Sequence, residues 1–212
     1  PERSRGAHRR VAGEPMSKGR FFAIEGVDGV GKSTLATRLA STLSNAVYER
    51  EPTPEPIGQM ISTVLRRQIV LEDPMALQML FAADRLEHSG RIQKTLADGR
   101  DVVCDRYDLS SITHAVALLG TDVLDWVREI NDRAIRPDVT IVLHLPFEVC
   151  AARLALRSQR DIFEHEEMQQ KIRRLYAQAE YLLPNDRVVH VNADGSPDDV
   201  FARVLSALEV SP

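Results

Sequence analysis

The stretch AIEGVDGVGKSTLATRL, residues 23–39, places three glycines and a lysine between an apolar run and an amphipathic run. Its segment from Gly26 to Ser33 has the spacing G-x-x-x-x-G-K-[ST], which is typical of a phosphate-binding loop between a strand and a helix. Both flanks agree. Residues 20–25 are short and mostly apolar, which predicts a buried strand, and leucines at four-residue intervals predict a helix over residues 33–43.

The residue types in this loop suit a polyphosphate. Glycines lack a Cβ atom, so successive backbone N–H groups can turn toward one point, and the helix N-terminus adds partial positive charge there. Lys32 is then placed to reach the β- and γ-phosphates, and the Ser33 hydroxyl to help hold Mg²⁺. The predicted nucleotide-binding residues of this segment are Gly26, Asp28, Gly29, Val30, Gly31, Lys32, Ser33 and Thr34. An ordinary glycine-rich turn before a helix is the alternative.

The composition of the chain limits its possible functions. With 212 residues, of which 43% are hydrophobic, it can bury one sizeable core as a single domain. A net charge of -4 argues against a broad nucleic-acid surface, and no run of apolar residues is long enough to span a membrane. The two cysteines, Cys104 and Cys150, lie in apolar runs, so we expect buried free thiols and a reducing, cytoplasmic location.

The first 19 residues differ in character from the rest of the chain. They are rich in Arg, Gly and Pro and lack any periodic apolar pattern, so we expect a disordered tail followed by one domain over residues 20–212. Met16 as the working start and a weak basic targeting signal are alternatives for this segment.

The domain alternates predicted strands with predicted helices. We expect strands over residues 20–25, 46–50, 101–107, 138–145 and 187–193. We expect helices over residues 33–43, 74–99, 121–134, 147–157, 165–183 and 197–208, and another that begins at Pro56. This order indicates an α/β fold with a five-stranded parallel sheet covered by helices on both faces, the fold of P-loop nucleotide hydrolases.

Charged residues follow three of the predicted strands. They are Glu25 and Asp28, Arg50 and Glu51, and Asp105 and Arg106. Ligands of such sheets bind beyond the carboxyl ends of the strands, so these side chains are predicted to surround the phosphate-binding loop.

A second group of candidates lies on the long central helix. An otherwise mostly apolar stripe includes Phe81 and, one turn later, Arg85. Together these two side chains could hold a nucleobase, by stacking and by hydrogen bonding. An ordinary core phenylalanine beside an arginine that reaches solvent is the alternative.

Seven segments in order resemble the thymidylate kinases, which phosphorylate dTMP with ATP and Mg²⁺. They are FFAIEGVDGVGKST, REPT, LFAADR, DVVCDRYDLSS, RPDVTIVL, RDIFE and KIRRLY, between residues 21 and 176. The forms REPTPEPIG and RDIFE are most similar to the archaeal branch of that family. The resemblance covers the chain from about Arg20 to Leu208.

The resemblance implies a role for each matched position. Asp28 would meet the deoxyribose 3′-hydroxyl, Phe81 would stack on thymine, and Arg85 would donate to a thymine carbonyl. Arg106 would bind the acceptor phosphate, while Asp105 would hold Mg²⁺ or orient the acceptor. The remaining substrate-binding positions that it implies are Glu51, Pro52, Ser110, Ser111, His114, Glu164 and Tyr176. Tyr176 as a core residue is an alternative.

The resemblance also implies a short lid over residues 157–165. Arg153 would lie near adenine, and Arg157 or Arg160 would close over ATP and neutralise charge in the transition state. With Lys32, Asp105 and Arg106, these two lid arginines complete the predicted catalytic set. A salt-bridged, solvated helix end is the alternative for this segment.

One departure from the family leaves the acceptor open. Relatives usually carry Ala-Tyr-Gln where this chain has Thr113-His114-Ala115. A kinase of the same fold that acts on another nucleotide or small phosphorylated metabolite is therefore the second hypothesis. A P-loop switch module is the third hypothesis, and an inactive scaffold is the fourth. A homodimer through residues 112–119 and 124–130 is possible, although the same residues could pack against the sheet.

Overall fold

A computed structural model describes residues 18–155, 162–163 and 166–209. Its centre is a sheet of five parallel strands in the order β2-β3-β1-β4-β5. The strands are β1 (Phe21–Gly26), β2 (Ala46–Arg50), β3 (Asp101–Asp105), β4 (Val139–His144) and β5 (Val188–Asn192). The five predicted strands and their parallel arrangement are thus confirmed, with ends that differ by at most two residues.

Helices fill the intervals between the strands. They are α1 (Lys32–Thr42), α2 (Pro56–Leu65), α3 (Met75–Ala97), α4 (Asp108–Leu119), α5 (Leu124–Asn131), α6 (Phe147–Ala155), α7 (Glu166–Tyr176), α8 (Ala179–Leu182) and α9 (Pro197–Leu208). Helix α9 begins where Ser196 and Asp199 form a capping box, each side chain bonding the other's backbone N–H.

Both faces of the sheet are buried, as the sequence predicted. Along β1, Phe22 and Ile24 belong to the larger apolar cluster, whereas Phe21 and Ala23 belong to a second cluster with Leu96 of α3. Because successive side chains of a strand point to opposite faces, the two clusters lie on opposite sides of the sheet.

Three helix predictions need correction. Helix α4 was not singled out, because its residues from Asp108 to Ala117 are all buried and therefore show no amphipathic period. The predicted helix over residues 121–134 is a short 3₁₀ helix, Thr121–Val123, followed by α5. The predicted helix over residues 165–183 is interrupted after Tyr176, where α7 ends before α8 begins.

Two further expectations concern apolar side chains. Ile112, Val116 and Val127 are buried within the protomer, so the alternative in which these segments pack internally is confirmed for them. Cys104 and Cys150 are buried free thiols, as expected.

Among the described residues, no helix is both long and apolar enough to cross a membrane. The predicted tail lies outside the described residues up to position 17, and so does most of the predicted lid.

Candidate active site

The loop between β1 and α1 has the conformation that its glycines predict. Gly29 has φ +80° and lies so close to α6 that a Cβ atom there would come within 2.9 Å of the Cys150 carbonyl oxygen. Gly31 has φ +106° at the start of α1, so its N–H and those that follow point out of the helix end. Such a loop presents backbone donors to an anion, which is what a polyphosphate requires.

Lys32 extends across this loop rather than into solvent. Its side chain is 7% exposed, and its ammonium group donates to the Val27 carbonyl oxygen at 2.8 Å. Burial, and next the nearby Arg106, lower the pKa of Lys32 to about 8, while Asp28 at 3.7 Å opposes that shift. An arriving phosphate would stabilise the charged ammonium group in this setting.

Ser33 and Asp105 form the predicted metal-binding pair. The Ser33 hydroxyl donates to Oδ2 of Asp105, and the other carboxylate oxygen, Oδ1, is buried without a hydrogen-bond partner among the described residues. Hard oxygen donors with one free position fit Mg²⁺. Within the described part of the chain no three His, Cys, Asp or Glu side chains form a metal site of their own.

A larger cavity of about 730 Å³ opens above the loop. Its wall brings together the predicted residues Asp28 to Thr34, Glu51, Pro52, Asp105, Arg106 and Arg153. Arg153 donates to the Gly29 carbonyl oxygen at 3.0 Å, which joins α6 to the loop. Arg50 also lines this wall, as expected of a charged residue after a strand, and so do two arginines that the sequence did not predict, Arg38 and Arg66. The side chains of Arg38 and Arg66 belong to no sequence motif, so the sequence alone did not identify them.

Arg106 stands between this cavity and a second one. It pairs with Asp28 and donates to the Ser110 hydroxyl at 3.0 Å and to the Tyr176 hydroxyl at 3.4 Å. Burial lowers the pKa of Arg106, but Asp28 and other anionic neighbours outweigh burial and raise it, so the group is always charged. Asp28 and Arg106 line both cavities.

Glu25 lies at the end of β1, as the sequence predicted, and supports this region from below, a role that the sequence did not predict. Its carboxylate is fully buried and accepts from the backbone N–H of Tyr107 at 2.7 Å and of Ser110 at 3.1 Å. It also accepts from the hydroxyls of Ser110 and Tyr176, at 2.6 and 3.0 Å. Burial raises the pKa of Glu25. An acidic residue at the end of an apolar strand was the available signal.

The smaller cavity, of about 140 Å³, contains most of the predicted acceptor residues. Its lining includes Asp28, Glu51, Pro52, Phe81, Arg85, Arg106, Ser110, Ser111, His114 and Phe163. Tyr176 does not line it and is 1% exposed, but it contacts Arg106 from behind. Tyr176 is therefore buried, in agreement with the core alternative, and its contact with the substrate stays a prediction.

Arg85 is the buried cation of the smaller cavity. Its side chain is 1% exposed and donates to Glu51 at 2.6 Å and to the Ser111 hydroxyl at 2.9 Å, with Asn131 as a third partner. The alternative in which Arg85 reaches solvent is therefore wrong. Its Nε–H is buried without a hydrogen-bond partner among the described residues, and the side chain as a whole lines the smaller cavity.

His114 forms a neutral part of the same wall. Its Nδ1 contacts the Ser110 carbonyl oxygen, which can only accept, so Nδ1 carries the proton and Nε2 has the lone pair. Burial, and next Arg106, lower the pKa of His114 to about 4. Phe163 packs edge-on against the imidazole, with ring centroids 4.5 Å apart. A neutral imidazole thus occupies the position that departs from the family pattern.

Three predicted site residues belong to parts of the chain that the structure does not describe. Arg157, Arg160 and Glu164 lie outside the described residues. Sequence reasoning missed three contacts with predicted site residues, those of His88 with Glu51, Asn131 with Arg85 and Gln169 with Asp28.

A loop that cradles one polyphosphate, joined by an ion pair to a pocket for a second small molecule, defines a phosphate-binding-loop kinase. The family model described as thymidylate kinase matches residues 24–204. The chain belongs to that family.

Individual relatives agree with this assignment. A probable thymidylate kinase of Pyrococcus horikoshii is 34% identical, over 91% of this chain and 97% of that protein. A thymidylate kinase of Synechococcus is 36% identical, over 89% and 94% of the two chains. The solved thymidylate kinase of Candida albicans, described as having broad substrate specificity, superposes with a TM-score of 0.75 at 26% identity, covering 91% of this chain and 92% of that one. Archaeal relatives are among those found, as the sequence resemblance implied.

Proposed function

We propose that the protein transfers the γ-phosphoryl group of ATP to the phosphate of dTMP, yielding ADP and dTDP. Family membership makes it a phosphotransferase, which decides against the switch-module and scaffold hypotheses. The observation that carries the proposal is the position of the Asp28–Arg106 pair, which lines both cavities. A phosphate bound at Arg106 would therefore face the γ-phosphate held by the loop.

On the donor side, the chain supplies positive charge and backbone donors. The loop amides and Lys32 would hold the β- and γ-phosphates, and Arg153 would support the nucleotide from α6. Ser33 and Asp105 would hold Mg²⁺, which when bound with ATP neutralises charge on the phosphate oxygens. Phosphoryl transfer needs little covalent chemistry from the protein, so alignment and charge account for most of the catalysis.

On the acceptor side, the smaller cavity matches a pyrimidine with a carbonyl group. Phe81 offers an aromatic face, and the unused Nε–H of Arg85 needs an acceptor atom. A thymine carbonyl oxygen satisfies that donor, whereas the amino group of cytosine would oppose it. Asp28 would accept from the 3′-hydroxyl, Ser110 and Ser111 would lie along the sugar and base, and Glu51 and Pro52 would close the wall.

The remaining assignments stay predictions. Arg157 and Arg160 would neutralise charge in the transition state, and Glu164 would secure the closed lid. We also retain the predictions of a cytoplasmic location and of a homodimer.

A second acceptor is favoured by one observation, the neutral imidazole of His114 in the smaller cavity. Steady-state assays with dTMP, dUMP, UMP and CMP under equal ATP distinguish the two hypotheses. We expect dTMP to have the highest kcat/KM and CMP the lowest, because only CMP presents an amino group to Arg85. Equal kcat/KM values for dTMP and the other acceptors would contradict the proposal and favour the second hypothesis.

A further inference from the structure

His88 is completely buried, yet both of its ring nitrogens face carboxylates. It lies on α3, one turn from Arg85, and is 0% exposed. Its Nδ1 is 3.0 Å from Oε1 of Glu51, and its Nε2 is 3.3 Å from Oε2 of Glu49. The family resemblance assigns no role in the site to this residue.

This geometry determines the charge of His88. An ionised carboxylate only accepts hydrogen bonds, and a neutral imidazole carries a single N–H. Glu51 is ionised because its other oxygen binds the Arg85 guanidinium at 2.6 Å. Both contacts of His88 are therefore satisfied together only when the ring is an imidazolium. His88 and Arg85 then balance the charges of Glu49 and Glu51.

The same contacts connect His88 to the smaller cavity. Glu51 is shared between His88 and Arg85, one carboxylate oxygen for each, and both Glu51 and Arg85 line the cavity. Holding one oxygen of Glu51 fixes the direction of the other, and so the orientation of the guanidinium. We propose that protonated His88 is a positioning residue for the acceptor: it holds Glu51, and through Glu51 orients Arg85 to receive the base. This inference rests on the proposed function.

Several other titratable or charged groups lie near His88, Glu49 and Glu51. They are Arg85 and Arg91 of α3, Cys104 of β3, Tyr107 after β3 and Asp108 of α4. The arginines stay charged, and burial raises the pKa of both Cys104 and Tyr107, so these two stay neutral. Burial lowers the pKa of His88, but Glu49 and Glu51 outweigh burial and raise it to about 8. Asn131 from α5 adds no charge.

The first test is the pH dependence of KM for dTMP in the complete protein, measured from pH 7 to 9 with saturating MgATP. Loss of the proton above pH 8 should raise this KM about tenfold by pH 9, since about one molecule in eleven then stays protonated. His88→Asn keeps a donor toward Glu51 without a charge, so its KM should be independent of pH. The matched control is His190→Asn, which removes a surface histidine paired with Glu180 and should keep the wild-type profile. Changes in kcat near pH 8 are excluded from this test, because Lys32 titrates there too.

A second variant keeps the test decisive if His88→Asn fails to fold. Glu49→Gln removes one of the two carboxylates, so the rise in KM should begin at lower pH. An unchanged inflection in Glu49→Gln, or a flat wild-type KM, would overturn the proposal. If the wild-type protein makes no dTDP, the proposed function fails instead. NMR titration of the His88 imidazole then decides its charge. A titration midpoint below pH 6.5 would contradict a protonated His88.

Discussion

The buried position of Lys32 holds its charge in place for the phosphates. Its ammonium group is held against the Val27 carbonyl oxygen beneath the place where the phosphates would bind. Replacing Lys32 by Ala removes a preorganised charge, and we expect kcat to fall by about 10²- to 10³-fold. Steady-state kinetics with dTMP and ATP measure this, with Lys171→Ala, a surface lysine paired with Glu167, as the control. A kcat for Lys32→Ala within a few-fold of wild type would contradict the role.

His114 makes the fold sensitive to acid. Burial holds the folded-state pKa at about 4, below the ordinary value of 6.5. Between these values the unfolded chain binds a proton that the folded protein does not, so stability falls as the pH falls from 6.5 toward 4. We expect the free energy of unfolding to lose about 2 kcal/mol from this residue between pH 7 and pH 5.

The measurement compares urea unfolding of wild type and His114→Asn at the two pH values. The raised pKa of Glu25 has the opposite effect on stability, but Glu25 is present in both proteins and cancels in the difference. Equal pH dependence in the two proteins would show that His114 is not kept neutral by the fold.

At the scale of elements, α2 depends on a glycine for its position. A Cβ atom on Gly58 would lie 2.0 Å from the Thr53 carbonyl oxygen, and Thr53 is itself fixed by the buried carboxylate of Asp84. Gly58→Ala therefore forces backbone to move next to Glu51 and Pro52. We expect a loss of about 1–3 kcal/mol in stability and a higher KM for dTMP.

Helix α3 provides a matched control for this change. A Cβ atom on Gly90 would meet nothing within 4 Å, so Gly90→Ala should stabilise the protein by about 0.5–1 kcal/mol, as alanine does in an open helix. Denaturant unfolding of both variants measures the change in the free energy of unfolding, which should be negative for Gly58→Ala and positive for Gly90→Ala. If both substitutions stabilise, the close approach of α2 to Thr53 is wrong.

The sequence predicted elements well where their pattern had a period. Strand β1 is a short apolar run that ends at the glycine-rich loop, and Leu35 and Leu39 mark α1 as a helix with one buried face. Helix α4 gave no such signal, because it is buried on all sides. The break between α7 and α8 also has no local cause in a glycine or proline, so it could not be located from the sequence.

At the scale of the whole molecule, the predictable part of the site is the part that is local in sequence. The phosphate-binding loop is a single continuous segment, and so is the pair Asp105–Arg106. The support of these residues comes from far along the chain: Glu25 contacts Tyr176, and Arg85 contacts Asn131. No spacing rule connects such positions, and only the folded sheet brings them together.

Glu25 offers the sharpest test of this long-range support. Its carboxylate accepts four hydrogen bonds, so the Ser110 and Tyr176 hydroxyls donate downward to it and accept from Arg106 above. In Glu25→Gln, the new amide N–H₂ faces either the two hydroxyls, which already accept from Arg106, or the two backbone N–H groups, which are themselves donors. In either orientation at least one buried hydrogen lacks an acceptor, which costs about 1–3 kcal/mol.

The same substitution should weaken the acceptor site, because Arg106 loses the support of oriented hydroxyls while Asp28 still attracts it. We expect denaturant unfolding to show the lost stability and kinetics to show a higher KM for dTMP with little change in KM for ATP. Asp101→Asn is the matched control at the other end of the sheet, where a half-exposed Arg20 is the partner. Such a surface pair contributes at most about 1 kcal/mol. Equal losses in the two variants would mean that Glu25 stabilises no more than a surface carboxylate does, and that Arg106 is positioned by Asp28 alone.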